Sequence, residues 1–319
     1  MSVDKLFGSG CARTILAPMA GYTDFAFRSI CHGYGAGLTV TEMVSSKALV
    51  MNNELSKKML YRLDDDKPSF CQIFGQEPDV MAESVMLDEV RQYDGVDINM
   101  GCPVKKIVSN GDGSALLENP RLASECIAAV KKALGCKPLS VKFRLGVADS
   151  CKAVDFAKTC RDSGADFITV HFRTRKQMYS GEADYSLLED LVKVGIPLFA
   201  NGDIVSRKQY LDLTERGAYG VAIGRGAVGR PYVFAEINDK NYEMDLYGII
   251  EKHAALLSKI FNDRVVCNEM KKHVACYLKN KRNAKKTIVA VNESKTSEEI
   301  LNHVTEFLSE NPQLRKVVK

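Results

Sequence analysis

The sequence predicts a protein of the α/β class, a (β/α)8 TIM barrel followed by a small all-helical C-terminal domain. Between residues 13 and 224, short β-branched runs bounded by Gly, Pro or Asp alternate eight times with helix-like segments. Eight such units predict a parallel sheet, and they fit a closed barrel better than an open doubly wound sheet. Beyond residue 240 only helical periodicity remains. We therefore predict a barrel over residues 1–240 and a helical domain over residues 241–319.

Each of the first seven strands is followed by a predicted helix. The predicted strands are RTILAP (13–18), GLTVTEMV (37–44), SFCQIF (69–74), VDINM (96–100), LSVKFR (139–144), DFITVH (166–171), PLFAN (197–201) and YGVAIG (219–224). The predicted barrel helices cover residues 25–34, 53–62, 79–93, 121–134, 151–163, 185–194 and 207–216. In the C-terminal domain, apolar residues spaced three to four apart predict helices over 246–261, 269–279 and 297–308.

Polar or otherwise unusual residues collect at the predicted carboxyl ends of all eight strands. These ends matter because the loops that follow them converge over the barrel axis, where barrel enzymes carry their active sites. A single polar residue there could be a satisfied core group, but eight strand ends together predict a site. In chain order the residues are Pro18 and Met19, Glu42, Gln72, Asn99 and Cys102, Lys142 and Arg144, His171, Asn201 and Asp203, and Gly224 and Arg225.

The eighth strand continues into IGRGAVGRPYVF, which matches the pattern G-x-G-x-x-G. The match is weak as a dinucleotide motif, since it closes the series of units and no further strand follows. Barrels nevertheless commonly bind a phosphate between the loops after strands seven and eight. Here Arg225 is available to a phosphate oxygen. We expect a phosphorylated cofactor or substrate there; a plain Gly-rich turn is the alternative.

Three side chains on strands three, five and six suit a flat polar heterocycle. Lys142 lies in mid-strand, where an unpaired ammonium is costly to bury, so it needs an anionic or electron-rich partner. Gln72 and His171 would flank the same space. Together with a phosphate over the last two strands, these demands suggest flavin mononucleotide, with the cation stabilising its reduced anion.

Cys102 follows the fourth strand in the stretch DINMGCPVKK, and Pro103 restricts its turn. A nucleophilic cysteine would need a nearby base, whereas a general acid needs only a protonated thiol in the right place. Because no His is adjacent, the acid role fits the local sequence better. A structural cysteine in a G-C-P turn remains the alternative.

The composition indicates an ordinary globular protein, with 45% hydrophobic and 26% charged residues. The sequence has no 18-residue apolar run, no basic-then-apolar leader and no C-x-x-C pair among its ten cysteines, so we expect a cytoplasmic protein with reduced thiols and no metal or membrane partner. Residues 240–319 contain fifteen Lys and Arg against ten Asp and Glu. Within them, KKHVACYLKNKRNAKK (271–286) has seven basic residues and no acid. It predicts either a polyanion contact or a solvated helix face.

Seven stretches taken in order make the chain resemble the dihydrouridine synthase family, flavin enzymes that reduce a uridine base in tRNA. They are LAPMAGYTDFAFR, QIFG, DINMGCPVKKI, VKFRLG, HFRTRKQMYSG, ANGDI and GVAIGRGAVGRPYVF, between residues 16 and 234. HVACYLK (273–279) resembles the motif of the family's helical domain. SSKAL and GSALLENP bring the chain nearest to the bacterial B-type branch.

The resemblance implies a role for each matching residue. Cys102 would donate a proton to uracil C5 while flavin N5 delivers hydride to C6, and NADPH would re-reduce the flavin. Asn99 and Arg173 would lie on the substrate side. The implied contacts to flavin mononucleotide are Pro18, Met19, Ala20, Gln72, Lys142, His171, Asn201, Gly202, Asp203, Gly224 and Arg225. Two departures stand out, Phe172 where the family often has Gly and Cys276 where it usually has Trp.

We therefore predict reduction of specific uridines in RNA by a monomeric enzyme. The substrate expected is tRNA, and ribosomal RNA is the alternative RNA. The base would have to be extruded into the barrel mouth, and the basic C-terminal domain would bind RNA phosphates. A rival prediction is a flavin mononucleotide barrel acting on a free pyrimidine, which would not require that domain. A second rival is an RNA-binding factor with an inactive barrel, which the intact Cys102, Lys142 and His171 disfavour.

Overall fold

The barrel predicted from the sequence is present in the computed structural model, which describes residues 3–8 and 11–318. Its strands are all parallel and close into a ring through the pairing of the first strand with the last. Apart from this closing pair, neighbours in the ring are also neighbours in sequence, as expected for repeated βα units. The strands are β1 (Thr14–Leu16), β2 (Leu38–Val40, continued by Val44–Ser45), β3 (Ser69–Phe74), β4 (Gly95–Met100), β5 (Leu139–Arg144), β6 (Phe167–His171), β7 (Leu198–Asn201) and β8 (Gly220–Ile223).

The second strand is interrupted, whereas the sequence predicts one run over residues 37–44. Its two pieces both pair with β3, in the registers Thr39 with Ser69 and Val44 with Ile73. At the break, the Thr41 hydroxyl accepts the backbone N–H of Gln72 at 2.9 Å. A side chain thus replaces a strand carbonyl as acceptor, and the chain is free to turn there.

Helices cover the outside of the barrel and continue into the C-terminal part. The α-helices within the described residues are α1 (Phe25–Gly33), α2 (Ser46–Val50), α3 (Glu54–Met59), α4 (Pro78–Ser84), α5 (Asp88–Arg91), α6 (Lys105–Val108), α7 (Pro120–Leu134), α8 (Ala153–Asp162), α9 (Leu188–Val192), α10 (Arg207–Glu215), α11 (Val233–Ile237), α12 (Leu246–Leu257), α13 (Asp263–Leu278), α14 (Ala284–Glu293) and α15 (Ser297–Glu310). Short 3₁₀ turns lie at Val3–Leu6, Gly113–Glu118, Tyr185–Leu187 and Pro312–Leu314. None of the described helices is both long enough and apolar enough to cross a bilayer.

The helix predicted over residues 79–93 forms as two, α4 and α5. At the end of α4 the Ser84 hydroxyl donates to the Met81 carbonyl at 2.8 Å, a local bond that competes with regular helix geometry. The chain then makes a tight turn, in which the Leu87 N–H reaches back to the Ser84 carbonyl.

The barrel interior is filled by side chains, so it is a packed core and not a channel. Phe70, Phe167 and Phe199 meet there, with ring centroids 5.6 Å and 5.3 Å apart. Phe7 packs on Phe199 in a tilted arrangement with ring centroids 5.3 Å apart, and it joins the same cluster as Val3 and Leu6. The N-terminal segment therefore closes the amino end of the barrel, which leaves the carboxyl ends of the strands as the open mouth.

The C-terminal helices α12–α15 pack against α1 of the barrel in one hydrophobic cluster that includes Phe25, Ile30, Ile250 and Val274. A small antiparallel sheet, β9 (Glu243–Asp245) with β10 (Lys316–Val318), joins the two ends of this part. Neither this sheet nor α14 was predicted. The barrel helix α1 and the C-terminal helices share this hydrophobic cluster. The division into two domains at residue 240 therefore stays a prediction.

A glycine of the loop after β8 is packed against the C-terminal part. Gly229 has φ +75°, and an added Cβ would lie 2.4 Å from the Cys276 carbonyl oxygen in α13. The third glycine of the G-x-G-x-x-G pattern therefore lets α13 pack closely against this loop. Only the earlier glycines of the pattern remain available for a phosphate.

A buried ionic cluster also joins the two parts. Asp24 caps α1 by accepting the Phe27 N–H at 2.9 Å, and its carboxylate lies 3.2 Å from Nε2 of both His253 and His273. Burial opposes ionisation of Asp24, but the charge and hydrogen bond of His253, followed by the contact with His273, hold its pKa well below the usual range. These three side chains, from α12, α13 and the start of α1, could also hold a metal ion, but the carboxylate is already satisfied by its partners.

We expect the stability of the fold to decrease as the pH falls from about 6.5 to about 4, because His273 is buried neutral. Burial and the neighbouring His253 lower the pKa of His273 to about 4, although Asp24 opposes this. The unfolded chain therefore binds a proton over a pH range in which the folded chain does not. That difference should cost about 2 kcal/mol between pH 7 and pH 5.

Urea unfolding at pH 7 and pH 5 measures this difference. His273→Gln should lose most of the pH dependence, whereas the partly exposed His303→Gln, a matched control, should keep it. An unchanged pH dependence in His273→Gln would contradict the assignment.

Candidate active site

The side chains predicted at the strand ends meet at one end of the barrel. The strand registers align Asn99 with Lys142, Arg144 with His171, and His171 with Asn201. Cys102 follows β4, Asp203 follows β7, and Gly224 with Arg225 follows β8. After β1, Pro18 and Met19 are half-buried, and Ala20 is exposed.

Cys102 lies on a turn that is fixed from several sides. Its backbone N–H donates to Asn99 Oδ1 at 2.9 Å, and its carbonyl accepts the Ser114 hydroxyl at 2.8 Å. One residue earlier, the Gly101 carbonyl accepts Arg144 Nε at 2.9 Å. Side chains from β4, β5 and the loop after β4 thus define the position of the thiol.

The Cys102 thiol is half-buried and stays protonated at neutral pH. Burial raises its pKa, and this outweighs the opposite effects of the Val104 N–H and the charges of Arg144 and Lys142. A thiol held in this state can donate a proton, while thiolate attack would require a base to remove that proton.

Lys142 supplies an unpaired cation beside the thiol. Within the part of the chain that the structure describes, its ammonium makes no hydrogen bond or ion pair. Burial and the charge of Arg144 lower the pKa of Lys142 to about 8, with Asp97 and Cys102 acting in the opposite direction. An ammonium in this setting is available to an electron-rich ligand.

His171 is neutral at physiological pH. Burial and the nearby cations, first among them Lys142 and Arg144, lower its pKa far below the usual value. Its ring edge lies against Gly202, where an added Cβ would be 3.5 Å from His171 Cδ2 and 2.7 Å from Ala183 Cβ. Gly202 also has φ +137°, so this position accepts only glycine.

Asp203 organises the loops after β6, β7 and β8. Its Oδ1 accepts Arg225 Nη2 at 2.7 Å, and its Oδ2 accepts Arg173 Nη2 together with the Ala183 N–H. Burial would raise the pKa of Asp203, but the hydrogen bond and charge of Arg173, with Ala183 and Arg225, lower it. The carboxylate therefore stays ionised and holds two guanidinium groups.

The two arginines differ in access. The side chain of Arg225 is 55% exposed, so it can reach an anion at the mouth. Arg173 is 1% exposed and donates to the Ser180 and Gly181 carbonyls, and its Nη1 is buried without a hydrogen-bond partner among the described residues. In this structure Arg173 thus contacts its own loop and Asp203.

Tyr179 belongs to the site and was missed by the sequence reasoning. Its ring lies under the guanidinium groups of both Arg144 and Arg225, each 5.4 Å from the ring centroid, and it is 55% exposed. The signal in the sequence that could have identified it is an aromatic residue in the loop after the sixth strand. Phe172, by contrast, packs on Tyr185 at 4.5 Å and is fully buried, so it does not narrow the mouth.

Two cavities flank the mouth, and neither includes Cys102, Lys142 or His171. One of about 550 Å³ lies between the loops after β2, β3 and β4 and is lined by Ser46, Lys47, Gln76, Met81 and Lys106 among others. Another of about 540 Å³ lies beyond the Cys102 turn, against Lys105, Arg175 and Lys176. The candidate active site lies where the strand ends converge, because Cys102, Lys142 and His171 meet there.

The residues at the mouth fit a planar heterocycle that carries a phosphate. Lys142 has no hydrogen-bond or ion-pair partner in the described part of the chain, Arg225 is open to an anion, and Gly202 leaves room that a Cβ would fill. His171 and Asn201 add polar groups on a buried floor. This donor set matches the demands of a flavin nucleotide better than those of a metal ion, since the Asp203 carboxylate is already held by Arg173 and Arg225.

The family model and the curated relatives that match this chain point to the same family. The family model for dihydrouridine synthase matches residues 15–311. A probable tRNA-dihydrouridine synthase from Rickettsia conorii is 35% identical over 316 residues, covering 95% of each chain. The tRNA-dihydrouridine synthase B of Pseudomonas aeruginosa is 37% identical over 278 residues, covering 83% of each chain.

Solved structures agree on the fold. Morphinone reductase in complex with tetrahydroNAD superposes with a TM-score of 0.50 at 12% identity, covering 69% of this chain and 85% of that one. A variant of NCR from Zymomonas mobilis gives a TM-score of 0.51 at 17% identity, covering 69% and 83%. At these identities the likeness supports the barrel alone.

Proposed function

The chain belongs to the dihydrouridine synthase family, and from this premise we propose that it reduces specific uridines of tRNA to 5,6-dihydrouridine. The proposal includes flavin mononucleotide as the bound cofactor and NADPH as the reductant. The two curated relatives described above carry tRNA in their names, which favours tRNA over ribosomal RNA.

The proposed cofactor contacts are those that the resemblance to the family implies. Lys142 and His171 would face the heterocycle, and Arg225 would bind the phosphate with Gly224 beside it. The remaining proposed contacts are Pro18, Met19, Ala20, Gln72, Asn201, Gly202 and Asp203. When bound, the flavin supplies a hydride to C6 of the uracil.

Cys102 is the proposed proton donor to uracil C5. Its half-buried thiol has a raised pKa, so the proton is present at neutral pH, and the fixed turn restricts where the proton can be delivered. Asn99 would position the base. Arg173 would act by holding the loop of residues 173–183 through Asp203, in line with its burial.

The C-terminal part is proposed to bind RNA phosphates. The basic segment that includes the start of α14 exposes Lys279, Arg282, Lys285 and Lys286. Phosphate contacts of this kind supply much of the affinity for nucleic acid. His273 and Tyr277 from the same stretch are buried, so they would support this surface and would not contact RNA directly.

The observation that carries the proposal is the fixed, protonated Cys102 beside an unpaired Lys142, within a chain of this family. The test is to incubate the purified protein, flavin mononucleotide and NADPH with unmodified tRNA, ribosomal RNA or free uridine. Mass spectrometry of the nucleosides then detects dihydrouridine. We expect it in tRNA alone. Product from free uridine at a similar rate would favour the small-pyrimidine alternative, and no product from any substrate would contradict the proposal.

A further inference from the structure

Asp97 is a buried acid that contacts Gln72, one of the residues proposed for the site. It lies in β4, is 2% exposed, and its carboxylate accepts Gln72 Nε2 from β3 at 2.6 Å and the Ser140 hydroxyl from β5 at 2.5 Å. We propose that Asp97 is a positioning residue which orients the Gln72 amide and, through Asn99, holds the turn that carries Cys102. This inference rests on the proposed role of Cys102.

A continuous chain of hydrogen bonds joins Asp97 to the Cys102 backbone. Beyond the contact with Asp97, Gln72 Oε1 accepts Asn99 Nδ2 at 2.9 Å. Asn99 Oδ1 then accepts the N–H groups of Gly101 at 3.1 Å and Cys102 at 2.9 Å. All three side chains are buried, so water does not compete for these bonds.

The direction of this chain is fixed at its Cys102 end. Backbone N–H groups can only donate, so Asn99 must turn its oxygen to them and its NH₂ group to Gln72. Gln72 must then turn its oxygen to Asn99 and its NH₂ group to residue 97. Only an acceptor at residue 97 completes the chain, because a donor there would leave two buried N–H groups facing each other.

The charge of Asp97 strengthens this arrangement. Burial raises its pKa to about 6, although the hydrogen bonds from Gln72 and Ser140 and the charge of Lys142 lower it. The group is therefore mostly ionised at neutral pH, and an ionised acceptor makes shorter and stronger hydrogen bonds than a neutral one. A buried acid in the middle of a strand is costly to the fold, which is typical of a functional site.

Removing the acceptor should loosen the Cys102 turn. In Asp97→Ala, Gln72 and Asn99 lose their fixed orientation, so the half-buried thiol should become more accessible. We expect the iodoacetamide alkylation rate of Cys102, followed peptide by peptide in the full chain with and without flavin, to rise about fivefold. The kcat for dihydrouridine formation should fall about tenfold or more, with a smaller change in KM.

Two variants separate this role from general destabilisation. Asp97→Asn can present its oxygen to Gln72 and its NH₂ group to Ser140, so alkylation within about twofold of wild type is expected. Asp166→Ala removes an acid before β6, at the opposite end of the barrel, and should leave Cys102 alkylation unchanged. The exposed Cys151 serves as an internal reference in every sample.

Each outcome bears on the inference. Unchanged alkylation and kcat in Asp97→Ala would overturn it. If Asp97→Ala does not fold, Gln72→Met replaces it as the test, because it removes the next residue of the hydrogen-bond chain. An unchanged Cys102 alkylation rate in Gln72→Met would likewise overturn the inference. Failure of the proposed function would show separately, as wild-type protein that makes no dihydrouridine.

Discussion

Cys102→Ala should fold and bind flavin normally but form dihydrouridine about a hundredfold or more slowly than the wild type. The reason is that a positioned general acid contributes about 10²–10⁴-fold to rate, and water would have to replace the thiol proton. The measurement is the rate of dihydrouridine formation in unmodified tRNA with saturating NADPH, beside the flavin absorbance spectrum of the purified variant.

The matched control is Cys151→Ala, which removes an exposed thiol in the loop between β5 and α8. It should keep the wild-type rate. A Cys102→Ala protein with full activity would show that another group supplies the proton.

Lys142→Met should reduce the rate of flavin reduction by NADPH about a hundredfold, while the protein still folds. The cation lies inside the mouth without a partner among the residues that the structure describes, and a preorganised charge of this kind contributes about 10²–10³-fold where negative charge develops. Rapid mixing of oxidised, flavin-loaded protein with NADPH, followed by absorbance, measures the rate.

The pH profile gives this prediction a second measurement. Because the pKa of Lys142 is lowered to about 8, the wild-type rate should decline as the pH rises through about 8 and the ammonium loses its proton. Lys142→Met should lack this decline, and Lys158→Met, which removes an exposed lysine of α8, should keep it. A flat wild-type profile up to pH 10 would contradict the role of the cation.

Much of the fold could be predicted because its signals are local. Each barrel strand is a short apolar run bounded by Gly, Pro or Asp, and every such run forms a strand of the ring. The break in β2 depends on the Thr41 hydroxyl meeting the Gln72 N–H across two strands. The sheet of β9 and β10 requires pairing of segments about seventy residues apart. Contacts of this kind leave no periodic pattern in the sequence.

The candidate site was predictable to the extent that its residues occupy strand ends. Cys102, Lys142 and His171 were identified in this way, and the structure brings them to one mouth. Asp97 was missed because it lies within the strand, two residues before Asn99, and not at the carboxyl end. Its contacts with Gln72 and Ser140 emerge only when three strands lie side by side. The burial of Arg173 likewise depends on how its loop folds back over Asp203.

The most direct test of the central claim is a single-turnover reaction without oxygen. Flavin-loaded protein is reduced with one equivalent of NADPH, mixed with unmodified tRNA, and followed by flavin absorbance and by nucleoside mass spectrometry. The wild type should be reoxidised with one dihydrouridine formed per flavin, and Cys102→Ala should be reoxidised about a hundredfold more slowly. Reduced wild-type protein that tRNA does not reoxidise, or a Cys102→Ala protein reoxidised at the wild-type rate, would contradict the account.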